Sequence, residues 1–235
     1  MKKVGVVLSG CGVMDGSEIH ESVLALLAID RASAEAVCMA PNIKQLHVVN
    51  HLTNEPEEGE VRNVLNESAR IARGKVRDIA HVKAEEIDAL VFPGGFGAAK
   101  NLCTFANEAE KCEVNPDVEK LVRAMHAAGK PIGFICIGPA ICAKIFGDLG
   151  VKLTIGNDKS TIQKLTAMGA KHENSAVHEI VVDEKNRVVS TAAYMLARRI
   201  SEASGGIEAL VNAILKMTDK LPAKSAVRQQ PSTLY

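Results

Sequence analysis

The sequence has few aromatic residues and shows no excess of either charge. Aromatic residues make up 3% of its 235 residues, and tryptophan is absent. Lysine plus arginine and aspartate plus glutamate number 28 each, with no long basic run and no basic face rich in aromatics. Nucleic acid and acidic membrane surfaces are therefore not expected as partners. Any protein interface would rest on aliphatic packing.

Long hydrophobic runs and the usual cysteine frameworks are also missing. The apolar stretch at residues 4–10 is too short to span a bilayer and ends in glycine, so we interpret it as a strand and not as a signal segment. The six cysteines lack paired zinc-ligand spacing, and a chain of this length does not need disulfides. We expect no metal site, reduced thiols and a cytoplasmic location.

Apolar runs alternate with helical patterns along the chain, as in a parallel sheet. The pattern predicts strands at 4–10, 36–40, 88–92 and 131–136; helices at 17–30 (capped by Ser17), 60–73, 117–128, 140–146 and 196–216; loops at 51–59 and 103–116; and a hairpin of 179–183 with 187–190. The predicted fold is a three-layer α/β/α sandwich with helices on both faces of a mostly parallel sheet and an added β-hairpin. We assign residues 1–217 to one domain and 218–235 to a polar C-terminal tail with little fixed structure.

Residues 131–140, Pro-Ile-Gly-Phe-Ile-Cys-Ile-Gly-Pro-Ala, are the most informative segment. A buried strand here runs into Cys136 and turns at Gly138 before a helix begins. This pattern predicts a strained strand-to-helix elbow with an exposed sulfur, the position of a catalytic nucleophile. The N-terminus of the following helix would favour the thiolate. The alternative is a small buried cysteine with a packing role.

Three glycine-containing loops should meet at the carboxyl ends of the parallel strands, where open α/β sheets place their sites. They are residues 9–12, residues 93–95 and the Cys136 elbow. Gly94 or Gly95, together with Ile137, could donate backbone N–H groups to a developing oxyanion. Glu18, just past the first loop, could transfer protons to and from the thiol, or it could serve the helix N-terminus alone. Cys11 is expected to line the pocket without being the nucleophile.

The same motifs resemble the ThiJ/PfpI superfamily, whose flavodoxin-like fold is similar to that of type 1 glutamine amidotransferases. Residues 8–21, 93–102 and 192–197 more closely resemble the isoprenoid biosynthesis glyoxalase ElbB family and its mitochondrial relatives. The resemblance covers about residues 1–217. Within these motifs, Gly10, Cys11 and Asn101 are predicted to contribute to the substrate site.

The resemblance implies a cofactor-independent glyoxalase, a lyase that converts glyoxal to glycolate without glutathione or metal. In this scheme Cys136 forms a hemithioacetal, Glu18 moves a proton between the two carbons, and water hydrolyses the resulting thioester. The resemblance also implies a homodimer and a link to isoprenoid biosynthesis. His20 points away from Glu18 by about 200° at helical pitch and is expected to be peripheral.

One residue departs from the wider superfamily. Amidotransferases and peptidase-like members carry histidine directly after the cysteine, whereas this chain has Ile137. Amidase or peptidase chemistry would need another histidine, from His126, His172 or His178. Three alternatives remain: a protein deglycase or amidase-type hydrolase, a redox sensor based on Cys136 oxidation, and a regulatory protein acting through a partner.

Overall fold

A computed structural model describes residues 1–219. Its strands are β1 (Lys3–Val7), β2 (Glu35–Ala40), β3 (Val49–Asn50), β4 (Glu55–Pro56), β5 (Val76–Asp78), β6 (Ala89–Phe92), β7 (Ile132–Ile135), β8 (Lys152–Leu153), β9 (Lys171–His172), β10 (Ile180–Asp183) and β11 (Val188–Thr191). Its α-helices are α1 (Ile19–Arg31), α2 (Val64–Ile71), α3 (Phe96–Lys100), α4 (Phe105–Glu108), α5 (Pro116–Ala127), α6 (Pro139–Phe146), α7 (Lys159–Ala167) and α8 (Ile200–Thr218). Short 3-10 turns fill several of the connections.

The central sheet has seven strands in the order β10-β11-β7-β6-β1-β2-β5. All neighbouring pairs are parallel except β10 with β11. Buried side chains form one cluster on each face, and α1 and α8 pack on the face opposite α5 and α6. The predicted three-layer α/β/α fold with a mostly parallel sheet is confirmed. The predicted hairpin is also present, although its second strand, β11, pairs in parallel with β7.

The polarity of α1 shows how the sequence builds one of these layers. Its buried positions, spaced three and four apart, form the stripe that faces the sheet: Glu21, Ser22, Ala25, Ala28 and Ile29. The predicted cap was wrong, because the N-cap is Glu18, whose carboxylate accepts from the Glu21 N–H at 2.6 Å. The Ser17 hydroxyl instead accepts from the Ser9 N–H at 2.8 Å.

Several boundaries differ from the sequence prediction. Helix α2 begins only at Val64, after the Asn63 cap, and β5, α7, β8 and β9 were not predicted. Helix α8 extends through Thr218, one residue into the predicted tail. Residues 220–235 of that tail lie outside the described residues, and the division into domain and tail stays a prediction.

The direction in which successive strands are added to the sheet reverses between β1 and β6. From β1 the chain order runs outward to β2 and β5, and from β6 it runs the other way to β7 and β11. In open α/β sheets the crevice at the carboxyl ends of such strands is the usual ligand site. The loops after β1, β6 and β7 meet there.

Candidate active site

Cys136 occupies the sharp elbow directly after β7. Its φ is +58°, a left-handed value that costs free energy for any residue with a Cβ. The Cys136 N–H donates to the Thr191 carbonyl of β11 at 3.0 Å, and Pro139 starts α6 three residues later. The predicted strained elbow is therefore present. The sulfur is less open than predicted, since Cys136 is 8% exposed.

Glu21, on the first turn of α1, is the acidic neighbour of Cys136. Its side chain is fully buried. A β-carbon built on Gly94 would lie 2.7 Å from Glu21 Oε2 and 3.0 Å from Cys136 Sγ, so both atoms border the same small space. The carboxyl accepts from the Gly94 N–H at 2.8 Å through Oε2 and from the Tyr194 N–H at 3.3 Å through Oε1. Hydrogen bonds from two separate segments thus hold this side chain in place.

The expectation that Glu18 would be the partner of the thiol is corrected by this geometry. Glu18 uses its carboxylate to cap α1, and its N–H donates to the Gly94 carbonyl at 2.9 Å. It still lines the pocket outside Cys136. Its physical role is to complete the helix N-terminus and to place negative charge near Glu21.

Two backbone N–H groups approach the sulfur, from Gly95 and from Ile137. Within residues 1–219 neither donates to a backbone or side-chain oxygen. Gly94 does not belong to this pair, because its N–H is taken by Glu21. Gly95 has a φ of +93°, and a Cβ there would lie 2.4 Å from the Glu18 nitrogen, which explains why glycine is needed at this contact.

Burial and mutual repulsion raise the pKa of both titratable groups. Burial, followed by the charge of Glu18, raises the pKa of Glu21 to about 8. Burial, followed by the charge of Glu21, raises the pKa of the Cys136 thiol well above its usual value, although the Gly95 and Ile137 N–H groups act in the opposite direction. The predicted preference for thiolate was wrong in direction, since desolvation outweighs the helix N-terminus here. The pair releases its first proton near pH 8.

The other predicted substrate-site residues lie away from the sulfur. Asn101 donates through Nδ2 to the carbonyls of Ser9 and Asp15, both at 2.9 Å, and accepts from the Leu46 N–H, so it ties the first loop to its neighbours. The Gly10 N–H donates to the Ser68 hydroxyl at 3.0 Å. Neither residue lines the pocket.

Cys11 also lies outside the pocket, contrary to expectation. It faces a charged group that includes Glu67 and Arg70. Burial, followed by the charge of Glu67, raises the pKa of its thiol. Cys11 therefore shares the first loop with the site without facing the reacting atoms.

The pocket in front of Cys136 has a volume of about 270 Å³. Its lining combines a few polar groups with apolar side chains: Val13, Glu18, Gly95, Phe96, Cys136, Ile137, Thr161, Tyr194 and Met195. The Tyr194 hydroxyl is hydrogen-bonded to His20 Nδ1 at 2.8 Å, so His20, predicted to be peripheral, reaches the pocket through Tyr194. Burial, followed by the charges of Glu18 and Glu21, raises the pKa of Tyr194, which keeps the phenol protonated.

None of the histidines considered for a Cys-His pair reaches this pocket. His126 packs against Phe146 with ring centroids 4.6 Å apart, His172 Nε2 accepts from the Ile155 N–H, and His178 lies beside Gly205. In the described part of the chain, no three histidine, cysteine, aspartate or glutamate side chains form a group suited to a metal ion. Among residues 1–219, no helix is both long and apolar enough to cross a membrane.

Sequence reasoning missed Glu21 although its signal was present. Glu21 precedes Ala25 by one helical turn on the stripe that faces the sheet, a position where an acidic residue is costly unless it is bound. Glu18 was predicted as the proton carrier because it follows the glycine loop directly. Phe96 directly follows the predicted 93–95 loop, whereas Tyr194 and Thr161 come from distant segments, and no local pattern marks these two as neighbours of Cys136.

Comparison with known proteins shows the family to which the chain belongs. The model of the DJ-1/PfpI family matches residues 23–202. The mitochondrial glutamine amidotransferase-like class 1 domain-containing protein 3 of Homo sapiens is 46% identical over 227 residues, which cover 93% of this chain and 84% of the human protein. The mitochondrial ES1 protein of Danio rerio is 34% identical over 92% of this chain and 86% of its own length.

Solved structures also resemble this chain. The isoprenoid biosynthesis protein with amidotransferase-like domain from Ehrlichia chaffeensis superposes with a TM-score of 0.86 at 40% identity, covering 92% of this chain and 99% of that chain. Drosophila melanogaster DJ-1beta has a TM-score of 0.53 at 18% identity, covering 94% and 97% of the two chains, which shows a shared fold alone. The resemblance drawn from the sequence motifs is confirmed.

Proposed function

The chain belongs to the DJ-1/PfpI family, and we propose that within it the protein is a glutathione-independent glyoxalase that converts glyoxal to glycolate. The observation that carries the proposal is that the buried Glu21 carboxyl and the Cys136 sulfur, at a strained elbow, border the same small space at Gly94. Such a pair supplies a nucleophile and a proton carrier with a pKa near the working pH, which is what the reaction requires.

In the first step the Cys136 sulfur adds to one aldehyde carbon of glyoxal. The thiol proton passes to the Glu21 carboxylate, a carbon–sulfur bond forms, and the carbonyl oxygen becomes an oxyanion. The Gly95 and Ile137 N–H groups, which approach the sulfur, stabilise this oxyanion. The oxyanion then takes the proton back from Glu21. The product is a neutral hemithioacetal, with Glu21 ionised again.

In the second step Glu21 removes the proton from the carbon bonded to sulfur, and the hydroxyl proton on that carbon moves to the neighbouring oxygen, giving an enediolate. Return of the carbon-derived proton from Glu21 to the neighbouring carbon produces a glycolyl thioester. Water hydrolyses the thioester, releasing glycolate and the free thiol. The net reaction adds one water to glyoxal and uses no external oxidant, reductant or metal. Glu21 replaces Glu18 in the scheme because it borders the sulfur.

Replacement of Cys136 tests the proposal directly. Purified protein should convert glyoxal to glycolate, and Cys136→Ser should abolish turnover while circular dichroism and the melting temperature stay close to those of the parent. Cys11→Ser is the matched control, since Cys11 lies outside the pocket and should not affect turnover. Turnover retained by Cys136→Ser would contradict the proposal.

The rival functions receive less support from the geometry. Oxidation by peroxide requires a thiolate, and burial raises the pKa of Cys136, which disfavours a fast redox sensor. Amidase chemistry lacks a histidine near the sulfur among the described residues. Protein deglycase activity would use the same cysteine and carboxyl on a bulkier substrate. A link to isoprenoid biosynthesis rests on the name of the Ehrlichia chaffeensis protein.

We further propose a cytoplasmic homodimer. All six cysteines are free, as a reducing compartment requires. Ile19, Val23 and Leu27 of α1 are 43%, 48% and 39% exposed and follow one another at helical spacing. An aliphatic stripe of this kind suits the interface expected from a composition poor in aromatics. Sedimentation equilibrium at micromolar concentration should give twice the chain mass, and a monomer would contradict it.

A further inference from the structure

The pocket at Cys136 is too large for glyoxal alone. A volume of about 270 Å³ equals roughly nine water-sized volumes of 30 Å³ each. Glyoxal, with two carbons and two oxygens, would leave more than half of this space to water. The pocket therefore has room for a ligand with an additional six-membered ring.

The walls around this extra space are apolar. Val13, from the loop after β1, and Phe96, the first residue of α3, line it together with Ile137 and Met195, which follow β7 and β11. Val13 is 39% exposed and Phe96 is 47% exposed, an unfavourable state for large apolar side chains that a bound apolar group would relieve. The polar groups, by contrast, are few: Glu18, Thr161 and the Tyr194 hydroxyl.

The charge of the pocket excludes one class of substituent. Its lining residues include the Glu18 carboxyl and contain neither lysine nor arginine. Lys100 lies 5.3 Å from the centre of the Phe96 ring, but its ammonium group donates to the Met14 carbonyl at 2.9 Å. A carboxylate or phosphate on the ligand would therefore find no cationic partner among the lining side chains and would meet the negative charge of Glu18.

We propose that the preferred substrates are α-oxoaldehydes with an uncharged apolar substituent of about the size of a phenyl ring. This inference rests on the proposed glyoxalase function and defines its substrate class. The aldehyde carbon would meet Cys136, and the substituent would contact Phe96 and Met195. For phenylglyoxal, sulfur adds to the aldehyde carbon, the hydrogen of that carbon moves to the ketone carbon, and hydrolysis of the thioester gives mandelate.

The experiment compares three substrates: glyoxal, phenylglyoxal and 4-carboxyphenylglyoxal, which differs from phenylglyoxal in one negative charge. We expect kcat/KM for phenylglyoxal to exceed that for glyoxal at least tenfold, and 4-carboxyphenylglyoxal to lose most of that advantage. Phe96→Ser should lower the ratio of phenylglyoxal to glyoxal kcat/KM about tenfold. Val61→Ser, an apolar-to-polar change at an exposed position outside the pocket, should leave the ratio unchanged.

The possible failures are distinguishable. If all three substrates are turned over without preference for phenylglyoxal and Phe96→Ser leaves the ratio unchanged, the substrate class is wrong and the glyoxalase function stands. If none is turned over, the glyoxalase function is wrong. Ligand binding then tests whether the pocket prefers apolar ligands. The probes are then 2-hydroxyacetophenone and glycolaldehyde, titrated into Cys136→Ser by calorimetry. Tenfold tighter binding of 2-hydroxyacetophenone supports the apolar ligand class, and equal or weaker binding overturns it.

Discussion

Glu18, the N-cap of α1, and Glu21, three residues later on the first turn, have different roles in the structure. Glu21→Gln should reduce kcat for glyoxal by at least a hundredfold, because the amide cannot carry the proton between the two carbons. Glu18→Gln should reduce kcat by less than tenfold and should mainly cost about 0.5–1 kcal/mol of the free energy of unfolding through the weakened cap. Steady-state kinetics and urea unfolding of both variants provide the measurement. A larger kcat loss in Glu18→Gln would return the catalytic role to Glu18.

Tyr194 contributes two separable groups to the site. Its backbone N–H supports Glu21, and its hydroxyl, bonded to His20, lines the pocket. Tyr194→Phe removes the hydroxyl alone, so Glu21 keeps its support. We expect a rise in KM of about tenfold with kcat changed less, because the hydroxyl positions the second oxygen of the substrate and does not transfer its proton. A tenfold fall in kcat with unchanged KM would instead mean that the hydroxyl stabilises the transition state.

The connection between β6 and α3 brings the backbone unusually close to the reacting side chains. A β-carbon at Gly94 would lie 2.5 Å from the Cys136 Cβ, closer than real contacts allow. Gly94→Ala should therefore destabilise the protein by about 1–3 kcal/mol and displace Glu21 or Cys136, with loss of turnover.

Gly205, in α8, provides the matched control for Gly94. A β-carbon there would lie 3.5 Å from His178 Cβ, an ordinary contact, and the backbone is helical. Gly205→Ala should raise the free energy of unfolding by about 0.5–1 kcal/mol and leave turnover unchanged. The two alanine variants are thus expected to have opposite signs in denaturant unfolding. A stabilised Gly94→Ala would show that the site is looser than the structure indicates.

The elements that surround the site were predictable where local patterns are strong. The apolar runs of β1, β6 and β7 and the turn at Gly138 predicted these three strands and the elbow at Cys136. The short β5, β8 and β9 lack such patterns, since each has two or three residues and depends on its neighbours. Tyr194 and Thr161 join the pocket through long-range packing, which no local periodicity encodes.

Burial explains why the titration of the site could not be predicted from the sequence. The helix start after Cys136 argued for a thiolate, and the opposing desolvation depends on how fully α1, β6 and α6 enclose the sulfur. The whole fold therefore sets the pKa values of Glu21 and Cys136. Activity should follow the ionised form of the pair, so kcat/KM should rise about tenfold per pH unit below 8 and level off above it.

The same proton links the site to the stability of the whole molecule. The pKa of Glu21 is about 8 in the folded protein against the ordinary 4.5, so the unfolded chain releases this proton first as pH rises. The stabilisation is complete below pH 4.5 and is lost as pH rises toward 8. Between pH 5 and pH 8 the free energy of unfolding should fall by roughly 3 kcal/mol more in the wild type than in Glu21→Gln, which lacks the titration. Urea unfolding at both pH values measures this difference, which does not depend on the baseline stability of the variant. Equal falls in the two proteins would mean that Glu21 is ionised throughout this range and cannot release its proton near pH 8, in which case the proposed rise of activity with pH would also be lost.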